Sequence, residues 1–113
     1  VDAYNANPTS MAAAIKNFSD MQVSRKMAIL GDMRELGDSS EEEHQKVADM
    51  LEHAGIDTVW LVGEEFGKTR CAFRKFADAE EVKAELRKNM PEDHYILIKG
   101  SNGMKLYQLP ELL

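Results

Sequence analysis

The chain has one cysteine, three prolines and no apolar run approaching the ~18 residues that a membrane span needs. Its single thiol, Cys71, cannot close an internal bridge, which excludes a disulfide scaffold and fits a reducing compartment. Positive charge is scarce too: 14 Lys and Arg face 20 Asp and Glu, a net charge of −6. Binding to nucleic acid or to an anionic membrane needs a basic face, so this balance argues against both. The N-terminus, Val1-Asp2-Ala3-Tyr4, has neither the basic region nor the apolar run of a signal peptide. It opens without Met on polar, turn-forming residues, and we expect a piece of a longer chain. Repeats, low-complexity segments and linkers are missing as well, so residues 1–113 read as one domain. With 43% apolar residues, that length buries a core without disulfides or a structural metal.

What the chain does have is an alternation of two patterns. Lys26–Leu30, Thr58–Val62 and Tyr95–Ile98 are short apolar runs, each closed within two residues by a glycine. Such runs are what strands of a parallel sheet covered on both faces look like. Between them lie helical patterns. Thr9 or Ser10 can cap a helix that places Met11, Ala14, Ile15 and Phe18 on one stripe. Ser39-Ser40 before Glu41-Glu42-Glu43 suggests a hydroxyl cap, with acids facing the positive end of the helix dipole. That helix carries Val47, Met50, Leu51 and Ala54 at core spacing and stops at Gly55. Asp78 can cap a third helix, with Val82 and Leu86 inward. Residues 64–71 are expected to form a short helix and Phe73–Phe76 a short strand. The last eleven residues should hold a turn of helix interrupted near Pro110, and the residues before the first helix the end of a strand. Strand–helix–strand units of this length imply right-handed crossovers. The fold class is therefore α/β, a three-layer α/β/α sandwich with a mostly parallel, doubly wound (Rossmann-like) sheet.

In such a sheet ligands bind beyond the carboxyl ends of the strands, where loops feed helix N-termini. Three polar loops fall there: residues 2–10, residues 31–37 and residues 99–103. They bring carboxylates, amides, a guanidinium, an ammonium and a hydroxyl to one edge, which suits a ligand with hydroxyls and charge of both signs. Each loop also reads as ordinary turn chemistry, since Asn, Pro and Gly serve caps and strand ends routinely. Gly63-Glu64-Glu65-Phe66-Gly67-Lys68-Thr69 imitates a phosphate loop but has three residues between its glycines instead of four, two of them acids. His44, His53 and His94 lack the spacing of a metal site, and His44 shares a stripe with Val47 and Leu51, where a hydrogen-bonded packing role fits. No nucleophile–base pair is visible, so no catalytic residue is assigned.

The same three loops resemble a known family. Asp2-Ala3-Tyr4-Asn5-Ala6-Asn7-Pro8-Thr9-Ser10-Met11 looks like the opening motif of the C-terminal domain of Mur ligases. Ile29-Leu30-Gly31-Asp32-Met33-Arg34-Glu35-Leu36-Gly37, followed by an acidic run and His44, is similar to that domain's next signature. Ile98-Lys99-Gly100-Ser101 resembles its third. The likeness runs through the chain in order, and it is greatest to the branch that adds D-alanyl-D-alanine to UDP-N-acetylmuramoyl-tripeptide in peptidoglycan synthesis. It implies a three-domain bacterial cytoplasmic enzyme that uses ATP and Mg²⁺ to activate the tripeptide carboxylate as an acyl phosphate. The phosphate loop and metal ligands would lie in a central domain, and the uridine-nucleotide site in an N-terminal one. The C-terminal domain would pack against the central domain and close over ATP and the acceptor dipeptide; alone it would be inactive.

By position, the resemblance matches Asp2 to the acid that meets the ATP ribose, with Tyr4, Asn5 and Asn7 as candidate nucleotide neighbours. It turns Asp32, Arg34, Lys99 and Ser101 toward the acceptor dipeptide or the phosphates. Asn102 joins them where many family members carry a basic residue. Two other readings stand beside it. A receiver-type phosphoacceptor domain would use Asp32 and Lys99, although the chain lacks that family's acidic pair, and Gly100 replaces the usual proline after the lysine. A non-catalytic nucleotide-binding module of the same fold is the other.

Overall fold

A computed structural model of the chain describes residues 6–113. Four strands, β1 (Lys26–Gly31), β2 (Thr58–Val62), β3 (Arg74–Phe76) and β4 (Tyr95–Lys99), form one sheet in the order β3-β2-β1-β4, and every pairing is parallel. All six residues of β1 are buried, as expected of a central strand covered on both faces. Its Ile29 stands level with Trp60 of β2 on one side and Ile98 of β4 on the other.

The helices are α1 (Pro8–Asp20), α2 (Ser40–Glu52), the single turn α3 (Glu64–Gly67) and α4 (Ala79–Lys88). Alternate strand residues face opposite layers. Ala28, Leu30, Val59 and Leu61 pack with Met11 and Ile15 of α1 and Val47 and Leu51 of α2. Met27, Ile29, Trp60 and Val62 pack with Val82 and Leu86 of α4 and with Leu106 and Leu109. Two apolar layers thus flank the sheet, giving the expected α/β/α sandwich. Chain order runs outward from β1 through β2 to β3, then α4 carries it back across the second face to β4. The point where that direction reverses lies between β1 and β4.

Several local expectations are corrected. Asn7, not Thr9 or Ser10, caps α1: its Oδ1 accepts the Ser10 amide at 2.8 Å while the Ser10 hydroxyl accepts the Asn7 amide at 3.1 Å. Pro8 then occupies the first turn, where its missing N–H costs nothing. Ser39 forms no side-chain cap on α2, because Gly37–Ser39 is already a 3₁₀ turn that leads straight into the helix. The helix expected over 64–71 is only the four-residue α3. The carboxyl end is a continuous 3₁₀ helix, Leu106–Leu112, that runs through Pro110. Pro110 is exposed, where a missing backbone N–H can be tolerated. The Asp78 cap forms as expected, with Oδ1 accepting the Glu81 amide at 3.0 Å. The expected strand end before α1 lies outside the described residues. Among the described residues no helix is long and apolar enough to cross a membrane.

Candidate functional site

Asp32 is the first residue beyond β1, and its backbone bonds to both neighbours of that strand. Its amide donates to the Val62 carbonyl at 3.1 Å, and its carbonyl accepts the Ser101 amide at 3.1 Å. The loops after β1 and β4 therefore meet, as their shared position beyond the strand ends requires. Residues 8–20 run back toward the opposite edge, where the Lys26 ammonium donates to the Ser19 carbonyl at 2.6 Å. The start of α1 thus lies toward the rim, and Ala6 shares an apolar cluster with Met33.

The Asp32 carboxylate is buried and committed within the chain: Oδ2 accepts the Glu65 amide and Oδ1 the Phe66 amide, both at 2.9 Å. These are the first-turn amides of α3, the groups a phosphate loop would offer to a phosphate. Gly63 makes the approach possible. Its φ is +118°, and a Cβ there would stand 2.3 Å from the Asp32 Cγ. An internal carboxylate fills this cradle, so the triphosphate-binding imitation at 63–69 does not fit ATP. The same two bonds leave Asp32 badly placed as a phosphoacceptor. Among the described residues no three His, Cys, Asp or Glu side chains are grouped to hold a metal ion.

A cleft of about 730 Å³ opens beyond the strand ends. Its walls are the loop after β1, the starts of α3 and α4, and the turn at Gly103–Lys105. Arg34 and Lys105 bring positive charge to the lining beside Glu35, while Glu64, Glu65, Asp78 and Glu80 enter it from beyond the ends of β2 and β3. The Arg34 guanidinium lies close over Gly103, where a Cβ would come within 2.9 Å of Nη2, and it donates weakly to the Met104 sulfur at 3.8 Å. Two cleft residues, Glu35 and Lys105, hold left-handed backbone, with φ of +63° and +58°. Conformations that side chains disfavour cluster at binding sites.

Of the residues singled out by sequence, Asp32 and Arg34 line this cleft. Lys99 ends β4, buried, on the strand face that also carries Leu97. Ser101 is buried, and its hydroxyl has no hydrogen-bond partner among the described residues. Asn102 is exposed at the start of the 3₁₀ turn Asn102–Met104. The Asn7 side chain is engaged in the α1 cap, whereas Asp2, Tyr4 and Asn5 lie outside the described residues. Sequence reasoning missed Lys105 and the acids beyond β2 and β3. Asp78 caps α4 as its sequence position predicts, yet it also follows a strand and so belongs to the same rim, a signal that the loop after β3 carries. Glu65 closes the floor. Its carboxyl is held below the usual range, first by the Ser40 hydroxyl, which donates at 2.7 Å, and then by Lys68.

The family described as "Mur ligase, glutamate ligase domain" matches residues 1–102. The chain belongs to the Mur ligase family. It is 33% identical over 96% of its length to the UDP-N-acetylmuramoyl-tripeptide–D-alanyl-D-alanine ligase of Bacillus subtilis, and covers 26% of that protein. To the Escherichia coli ligase of the same name it is 34% identical over 99% of its length, again covering 26%. A crystal structure of MurF from Acinetobacter baumannii superposes with a TM-score of 0.78 at 30% identity, over 97% of this chain and 26% of that one. The chain thus spans about a quarter of the Mur ligases it matches, and its sheet and helices are those of a domain within them.

Proposed function

We propose that this Mur ligase chain is the C-terminal domain of an ATP-dependent, bacterial cytoplasmic enzyme that joins D-alanyl-D-alanine to UDP-N-acetylmuramoyl-tripeptide. The observation that carries the reading is the match along nearly the whole chain to ligases bearing that one name. The cleft supports it. A dipeptide zwitterion has a carboxylate at one end and an ammonium at the other, and the cleft offers groups of both signs. Arg34, a bidentate donor, and Lys105 would hold the carboxylate, while the acids of the cleft would attract the amine. Lys99, Ser101 and Asn102, at the β4 end beside the cleft and not in its lining, would meet the acceptor or the phosphates from the β4 side. Asp2, Tyr4, Asn5 and Asn7 would turn the α1 end of the rim toward the nucleotide.

In this reading a central domain would hold ATP and Mg²⁺, which would supply the activation of the tripeptide carboxylate; the α3 amides of the present domain are occupied by Asp32. The present domain positions the amine and, by closing on the central domain, keeps water from the acyl phosphate. Two measurements on the 113-residue chain test it. Titration with D-alanyl-D-alanine, followed by amide chemical shifts, should move Arg34, Gly103 and Lys105 first; shifts confined to the opposite edge of the sheet would overturn the assignment. Incubated with ATP, tripeptide precursor and dipeptide, the chain should release no phosphate, and turnover would end the proposed division of labour.

A further inference from the structure

His44 is fully buried, lies outside the cleft wall and takes no part in the reading above, yet its ring reaches the loop that carries Arg34. The Met33 amide donates to Nε2 at 3.0 Å, so that nitrogen is unprotonated. The ring proton therefore sits on Nδ1, which donates to the Ser40 carbonyl at 2.7 Å. Phe66 meets the ring edge-on, with centroids 4.7 Å apart, and Asp32 Oδ1 lies 4.0 Å from Nε2. One side chain on α2 thus touches the site loop at Met33 and meets Phe66 of α3, whose amides hold Asp32.

Met33 directly precedes Arg34, and Glu35 follows in left-handed backbone. A loop in that conformation needs external bonds to stay there. Asp32 is tied on both sides by the neighbouring strand ends, and Gly37 already begins the turn into α2. Between those anchors, among the described residues, the Met33 N–H is the backbone donor that reaches an acceptor on another element. We infer that His44 is a positioning residue for the acceptor site: its Nε2 lone pair fixes the Met33 backbone and thereby aims the Arg34 guanidinium over Gly103. The inference rests on the reading of Arg34 as the carboxylate-binding group, but its geometric half stands without that reading.

The chemistry separates the ring's two nitrogens. Glutamine can place an acceptor where Nε2 lies, asparagine can place a donor where Nδ1 lies, and phenylalanine offers neither. In the 113-residue chain, His44→Gln should keep hydrogen-exchange protection of the Met33 amide and the proximity of the Arg34 side chain to Gly103 seen by nuclear Overhauser contacts. His44→Asn and His44→Phe should lose both while the amides of β1, β2 and β4 stay protected. Nitrogen shifts of the unaltered ring should report a proton on Nδ1. In the dipeptide titration, the Kd for D-alanyl-D-alanine should rise about tenfold in His44→Asn and less than threefold in His44→Gln. A purely structural histidine would lower stability in all variants without this split. Equal behaviour of Gln and Asn, or an undisturbed Arg34–Gly103 contact in Asn, would overturn the proposal; the Gln and Asn arms decide it should Phe fail to fold. If no variant and not even the natural chain bound dipeptide while the contact arm came out as stated, the assignment of the cleft as acceptor site would fall and the positioning of Arg34 by His44 would stand.

Discussion

Replacing Asp32 by alanine removes the acceptor for two amides at once. Phe66 N–H is buried, so without a partner it bears the full cost of desolvation, about 1–3 kcal/mol. The Glu65 N–H is only partly buried and can turn to water, which puts its loss near 1 kcal/mol. Both bonds run to a charged group inside the protein, where salt screens little. The sum is about 3 kcal/mol, a large share of the 5–15 kcal/mol that holds a domain of this size. With a urea slope of about 1.5 kcal/mol/M, the unfolding midpoint should fall by about 2 M. Asparagine restores one acceptor but aims an amide donor at the other N–H, so Asp32→Asn should fall between wild type and alanine. Urea unfolding followed by circular dichroism gives the free energies, and hydrogen exchange should show the Glu65 and Phe66 amides losing protection ahead of the sheet. An alanine variant within 0.5 kcal/mol of the natural chain would refute the view of Asp32 as the anchor of α3 (a tolerance set by ordinary surface substitutions).

Two further outcomes follow from the same geometry. Asn7→Ala removes one half of the reciprocal cap on α1 and should cost about 1 kcal/mol in urea unfolding, whereas Thr9→Ala should cost almost nothing; the reverse ranking would contradict the cap described above. The Glu65 carboxyl is held low by the Ser40 hydroxyl and then by Lys68, so its contribution is complete above the ordinary glutamate value near 4.3 and is lost as pH falls through the lower folded value. Glu65 remains wetted, so the amount is a few tenths of a kcal/mol. Ser40→Ala should accordingly destabilise at pH 7 and much less at pH 3, and an equal penalty at both would count against the link.

The strands were legible because their signal is short-ranged: a covered parallel strand must be apolar throughout and must end where the chain turns. The same holds for the Asp78 cap, which needs only an amide three residues on. Errors arose where two local solutions compete within one turn. Asn7 and Thr9 both carry a capping oxygen, and Pro8 decided between them by fitting the first helical position. At Ser39 the preceding 3₁₀ turn, set by the left-handed Gly37, removed the need for a cap. Composition could not reveal that the acids of α3 and α4 share a rim with Arg34.

By itself, then, the sequence determined the layered α/β/α architecture, the two amphipathic helices that cover one face, and which loops hold polar groups. Those features depend on patterns a few residues long. Tertiary structure alone decided that Asp32 would spend its charge on amides 33 and 34 positions away, that Arg34 would lie over Gly103, and that His44 would meet Met33. Each of these contacts forms only when parallel strands bring distant loops to one edge, and no local preference of either partner encodes the distance between them.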